Sequence, residues 1–176
     1  MFKKIFPITA ASARIAVLII LFFIAGCNTV SPQTQNTAAA EINAKLALAY
    51  LEKNDATRGK AKLLQAQKQA PHEPAVWYIS GYFLERTGDI ASADQAYLQA
   101  IQLAPRLGAA QNNYGAFLCR QEKYTAAITH FLLAVADPDY LGVAGAYKNA
   151  ALCALKIPDK SLANKYFQLA EARAGM

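Results

Sequence analysis

Thiols and imidazoles are the side chains best suited to covalent, redox or metal chemistry, and this chain of 176 residues has five of them: Cys27, Cys119, Cys153, His72 and His130. The two histidines lie 58 residues apart, with no carboxylate or cysteine spacing around either that resembles a metal set. His72 falls in a Pro71-His72-Glu73-Pro74 turn and His130 on a helical stretch, where solvated or capping roles are expected. There is no phosphate-cradling glycine loop, no serine elbow and no aspartate-rich calcium loop. The expectation is a protein that is not an enzyme and carries no cofactor or metal, with its chemistry confined to the cysteines.

The elements that position those cysteines are set by a 34-residue register. Trp77, Ser80, Gly81, Leu84, Ala93, Tyr97, Ala100 and Pro105 sit at the spacings of the tetratricopeptide signature, with Ser80 where leucine is usual. One period later come Gly115, Leu118, Ala127, Phe131 and Ala134; one period earlier, Ala47, Tyr50, Gly59, Leu63, Ala66 and Pro71. A fourth unit, displaced by two residues, runs through Tyr147, Ala151, Ala163, Phe167 and Ala170. Each unit is two antiparallel helices, and small residues are required wherever helix backbones approach closely. Gly81, Gly115 and Ala151 fill that role on first helices, and Ala93, Ala127 and Ala163 on second helices. Tyr97, Phe131 and Phe167 fill the space between repeats. The predicted fold is all-α, a right-handed superhelix of four helix pairs over about 40–73, 74–107, 108–141 and 144–174. Breaks are expected at Asn54-Asp55, 71–74, Gly88-Asp89, Pro105, 137–139 and 157–159, each rich in turn-forming residues. The fourth unit is atypical, as a terminal repeat should be, and its polar face is expected to include Lys160, Asn164, Lys165 and Glu171.

Ahead of the repeats, Lys3, Lys4 and Arg14 flank an uninterrupted apolar run from Ile15 to Ala25, closed by Gly26 and Cys27. Eleven apolar residues are too few to span a bilayer as a helix, so 1–26 reads as a secretory signal peptide. Ile24-Ala25-Gly26-Cys27 resembles a bacterial lipobox, which implies cleavage before Cys27 and fatty acylation, palmitate included, of its thiol and freed amine. Several acyl chains together hold a protein stably on a membrane where one would not. In lipoproteins that cross to the outer membrane the residue after the acylated cysteine is typically not aspartate; Asn28 stands here, and the expected location is the outer membrane, facing the periplasm.

Residues 27–37, rich in Ser, Pro, Gln, Asn and Thr, are expected to be a flexible tether that keeps the folded part within roughly 15 to 20 Å of the membrane face. The repeat domain then covers 38–174. The net charge of +6 falls to +3 once the signal is removed, because three basic and no acidic residues precede Cys27. With no basic run and no basic residues interleaved with aromatics on the mature chain, nucleic-acid binding has no support.

Cys119 and Cys153 both fall on first helices, which lie side by side in neighbouring repeats. Two readings follow: a disulfide, favoured by an even count and an oxidising compartment, or two buried reduced thiols acting as small hydrophobes. A bridge would close a loop of about 35 residues, a constraint of about 3 to 4 kcal/mol in the chain-entropy picture.

With catalysis set aside, function falls to a surface, and in this fold that is the groove lined by first helices. The register assigns it Tyr78, Tyr82, Glu85 and Arg86 in the second repeat, Asn112, Ala116 and Arg120 in the third, and Lys148 and Leu152 in the fourth. Aromatics, an amide and arginines together suit an extended or helical peptide. The expected partner is a protein, with neither nucleic acid nor a small-molecule substrate.

Three segments carry a closer resemblance: Asn112-Asn113-Tyr114-Gly115-Ala116-Phe117-Leu118-Cys119, then Phe131-Leu132-Leu133-Ala134 leading to Ala136-Asp137-Pro138-Asp139-Tyr140, then Asn149-Ala150-Ala151-Leu152-Cys153-Ala154-Leu155-Lys156. With the lipobox and tether they make the mature chain resemble the PilF/PilW family of type IV pilus biogenesis lipoproteins. The resemblance implies a pilotin, a lipoprotein that helps the secretin pore localise and multimerise or that stabilises the pilus. Alternatives are a scaffold for outer-membrane protein assembly or cell-wall hydrolase regulation, or a structural lipoprotein that binds peptidoglycan or the pilus fibre.

Overall fold

The computed structural model describes residues 32–175, with side chains from residue 35. Every described element is an α-helix: α1 (Pro32–Glu52), α2 (Ala56–Gln69), α3 (Pro74–Arg86), α4 (Ile90–Leu103), α5 (Gly108–Arg120), α6 (Tyr124–Val135), α7 (Val143–Ala154) and α8 (Lys160–Ala174). They pair as the register requires, α1/α2 through α7/α8, and make a tetratricopeptide helix-pair superhelix. The expected signal peptide over 1–26, the expected lipid site Cys27 and residues 28–31 of the expected tether lie outside the described residues. Of the tether expected over 27–37, residues 32–37 are helical, as the start of α1. Proline fits a first helical position, where its missing N–H is not needed, and the alanine run from Ala38 to Ala40 behind it is strongly helix-forming.

The turns inside the first three repeats share one geometry. Asn54, Gly88 and Glu122, each 34 residues from the next, all have positive φ, at 58°, 87° and 60°. Glycine takes that conformation freely and asparagine readily, whereas glutamate carries a Cβ penalty. The third turn is absent from the expected breaks because Gln121-Glu122-Lys123 contains no Gly, Pro, Asn or Asp; only the period locates it. Directly after three of the four turns an aspartate caps the second helix. Asp55 accepts from the Arg58 N–H at 3.0 Å, Asp89 from Ser92 at 3.1 Å and Asp159 from Ser161 at 2.9 Å, each satisfying one orphan donor of the first turn.

Close approach accounts for the small residues. A Cβ on Gly81 would lie 2.8 Å from the Tyr97 ring, and one on Gly115 3.0 Å from both the Ala127 carbonyl and the Phe131 ring. Tyr97 and Phe131 are buried. Tyr97 in turn receives Phe117 and Tyr114 of the next first helix, with ring centroids 5.1 and 5.9 Å away. Turns between repeats are tied by equivalent donors: Trp77 Nε1 donates to the Pro71 carbonyl and Gln111 Nε2 to the Pro105 carbonyl, each at 2.7 Å.

The two-residue slip before the fourth repeat has a visible cause. Asp137 Oδ2 accepts from the Gly108 N–H at 2.7 Å, closing the start of α5, while Oδ1 accepts from Asp139 at 3.0 Å. These backbone donors hold the Asp137 carboxyl below its ordinary pKa. The Tyr140 ring then packs where a Cβ on Gly108 or Gly142 would stand, 2.5 Å from its atoms in both cases. The longer connection is thus a plug against the α5 N-terminus.

Candidate partner-binding site

The first-helix face is built by α1, α3, α5 and α7. Tyr78 and Tyr82, one turn apart on α3, are both half-buried. With Leu48 of α1, Ile79 of α3 and Asn113 of α5 they line a hollow of about 250 Å³. Arg86 is exposed one turn beyond Tyr82. Its guanidinium lies 5.8 Å from the Tyr82 ring centroid, and Nη1 donates to the Tyr82 hydroxyl at 3.0 Å. Burial raises the pKa of Tyr78, with Glu41 and Glu73 adding to the shift, so its hydroxyl stays a neutral donor at physiological pH. An apolar depression rimmed by phenol hydroxyls, an amide and a positioned arginine is equipped to hold an apolar side chain and to hydrogen-bond the backbone or a carboxylate beside it.

Leu48 and Asn113 are absent from the sequence-derived groove, yet the register contains both. Leu48 is one period before Tyr82, and Asn113 one period after Ile79. Neither residue type by itself marks a position as lining a hollow.

Glu85 and Arg120 occupy the expected face, but they are closed on one another and are not open contact points. Arg120 Nε reaches Glu85 Oε1 at 2.5 Å and Nη2 reaches Oε2 at 2.7 Å. The Glu85 side chain is only 8% exposed and also accepts from the Tyr97 hydroxyl at 3.4 Å. The Glu85 hydrogen bond raises the Arg120 pKa, while burial and nearby Glu85 push the Tyr97 phenol far above its ordinary value. Sequence register gives a face but not a partner, and Glu85 reaches an arginine 35 residues on, one more than the period, across the pair of first helices.

Asn112 is likewise engaged, its Oδ1 accepting from Asn149 Nδ2 of α7 at 3.1 Å. Ala116 is half-buried and Leu152 exposed on the same face. Lys148 lies apart from the tyrosine hollow, at the edge of a second depression between α7 and α8. Cys119 and Cys153 are joined by a disulfide, with Cα atoms 5.9 Å apart. The C-terminal ends of three first helices are therefore stapled in series, α3 to α5 by Glu85 and Arg120, and α5 to α7 by the cystine.

Neither histidine faces the tyrosine hollow. His72 is exposed in its turn. His130 departs from the solvated or capping role expected of it: its ring packs edge-on to Tyr114 at 4.7 Å, and Nδ1 lies 2.6 Å from Gln111 Oε1. Burial lowers its pKa. Burial together with the hydrogen bond to Asp94, 3.0 Å away, pushes the Tyr114 phenol up to about 12. Among the described residues no group of three or more His, Cys, Asp or Glu side chains is placed to hold a metal ion, and no helix is long and apolar enough to cross a membrane.

No family model matches the chain. An uncharacterised protein of Haemophilus influenzae is 31% identical over 144 residues, which covers 81% of this chain and 80% of that protein. Among solved structures, Pseudomonas aeruginosa PilF superposes with a TM-score of 0.72 at 24% identity, over 79% of this chain and 63% of that one. PilW, described as a widely conserved type IV pilus biogenesis factor, gives 0.71 at 26% identity, over 77% and 62%. MamA gives 0.64 at 16% identity, over 97% of both chains. The chain thus spans less than two thirds of PilF and of PilW. By sequence it belongs to one family with the Haemophilus influenzae protein, and by structure it is a tetratricopeptide-repeat protein.

Proposed function

We propose that the protein is a non-enzymatic adaptor of type IV pilus biogenesis, a pilotin that captures a periplasmic segment of the pilus secretin on its first-helix face. The observation that carries this reading is the tyrosine hollow on a scaffold superposable with PilW. Tyr78, Tyr82 and Arg86 are the residues we assign to capture; Glu85, Arg120, Asn112 and the cystine hold the face in shape. Lipid attachment at Cys27 would confine adaptor and secretin to the outer membrane, facing the periplasm, so that a weak groove contact suffices at the raised local concentration.

Crosslinked affinity purification from native membranes tests the proposal. Recovery of the secretin and pilus components supports it. Recovery of outer-membrane assembly factors or cell-wall hydrolases, or co-sedimentation with peptidoglycan, would assign the same face to a different envelope machine.

A further inference from the structure

The two ends of the repeat stack match one another. At every internal junction, three positions of a first helix enter the repeat before it. In α3 they are Val76, Ser80 and Phe83; in α5, Ala110, Tyr114 and Phe117; in α7, Ala146, Ala150 and Cys153, and all nine are buried. Their contacts run backwards along the chain. Val76 clusters with Ala66 of α2 and with Ala70, which caps that helix, and Gln67 of α2 donates to the Ser80 hydroxyl at 3.1 Å. Tyr114 donates to Asp94 of α4, the Phe117 ring packs at a tilt against Tyr97 of α4, and the Cys153 Sγ lies 3.9 Å from the Tyr124 carbonyl of α6.

In α1 the same positions are Ile42, Leu46 and Ala49. Among the described residues no repeat precedes them, and they are exposed, Ile42 at 59% and Leu46 at 40%. Terminal repeats of a solenoid normally turn a polar face outward, since an apolar end invites association. At the other end the receiving positions are only partly covered, Ala170 buried but Phe167 half-buried and Glu171 and Ala174 exposed. Phe167, Ala170, Glu171 and Ala174 are the register equivalents of Tyr97, Ala100, Ile101 and Ala104 in the second repeat, and of Leu63, Ala66, Gln67 and Ala70 in the first. With Gly145 and Lys148 they border a hollow of about 360 Å³ between α7 and α8. Phe167 is only half-buried where Tyr97 and Phe131 are fully covered.

We infer that the Ile42/Leu46/Ala49 face of α1 in one copy seats in the α7–α8 hollow of a second copy, continuing the superhelix head to tail. The occupant is a second copy because α1 carries an apolar face at the three positions that fill this kind of hollow at each internal junction. Charge does not oppose the contact: Glu41 and Lys45, paired at 3.4 Å on α1, bring one charge of each sign, as do Lys148 and Glu171 at the hollow. The interface is heterologous, so it builds rows of copies instead of a closed dimer. It is independent of the partner proposed for the tyrosine hollow, which lies on another face.

The test uses full-length protein and the register itself. Since Val76 and Ala70 share one buried cluster, Ile42 of one copy should lie close to Ala174 of the next. Ile42→Cys and Ala174→Cys variants, each inert alone, should form a disulfide-linked dimer when mixed under mild oxidation, and the double variant should form a ladder that Leu46→Glu abolishes. All these positions are exposed, and an unchanged helical circular-dichroism spectrum and thermal unfolding midpoint confirm that each variant is folded. Absence of the mixed dimer in folded protein, or crosslinks only between two copies of the Ile42→Cys variant, would overturn the inference and leave the ends to another protein's helix or to a symmetric contact.

Discussion

Arg120 grips Glu85 with two parallel hydrogen bonds, at 2.5 and 2.7 Å, across the first helices of the second and third repeats. The geometry is the fork-on-carboxylate arrangement that makes arginine hard to replace. Because the arginine is half exposed, solvent screens the attraction, and the energetic weight falls on the carboxylate, which is 8% exposed. Arg120→Ala should therefore destabilise the fold by about 1 to 2 kcal/mol, chiefly by orphaning Glu85. Arg120→Lys should recover only part of this, and Glu85→Gln in the Arg120→Ala background should recover more. Urea unfolding of these proteins together with the single Glu85→Gln variant closes the double-mutant cycle and measures the coupling.

The cystine should act mainly on the unfolded chain, by closing the segment between Cys119 and Cys153. Replacing both cysteines by alanine is expected to cost about 3 to 4 kcal/mol. The wild-type unfolding midpoint should fall toward that of the variant when reductant is added, and the variant's midpoint should not respond. Mass spectrometry of periplasmic protein without reductant should find both cysteines blocked to alkylation.

Gly81→Ala should overpack the second repeat, because its new methyl would meet the buried Tyr97 ring at 2.8 Å. An expected loss of about 1 to 3 kcal/mol contrasts with Gly145→Ala, where no atom lies within 4 Å and no such clash arises. Thermal unfolding of the pair separates steric packing from generic glycine effects.

His130 gives the stability a pH dependence of definite sign. Burial lowers its folded pKa, so below the unfolded value of about 6.5 the unfolded chain binds the proton more readily. Stability is then fully present above that value and falls as pH drops through it, levelling only below the folded pKa. His130→Gln should flatten this part of the profile, which denaturant midpoints between pH 7.5 and pH 5 would show.

The architecture is legible in the sequence because small and aromatic residues recur at one period, and steric approach leaves no alternative at Gly81 or Gly115. What the period cannot show is how long side chains close on each other. Glu85 and Arg120 both read as groove residues and turn out to be a staple, and His130 reads as solvated but packs on Tyr114. The turn at Glu122 escapes composition for a related reason: its residues are not turn formers, and the geometry is imposed by the repeats on either side. Leu48 and Asn113 become visible as hollow residues only once three first helices stand side by side.

The central claim is that the tyrosine hollow captures a secretin segment while Cys27 places it at the membrane. It is tested most directly by secretin multimer assembly, read alongside secretin capture, in strains carrying Cys27→Ala or the Tyr82→Ala/Arg86→Ala pair. The account predicts that Cys27→Ala leaves capture intact but abolishes secretin placement and multimers, whereas the groove pair leaves the lipoprotein in the outer membrane and weakens capture. Normal secretin multimers in the Cys27→Ala strain, or undiminished capture by the groove pair, would contradict it.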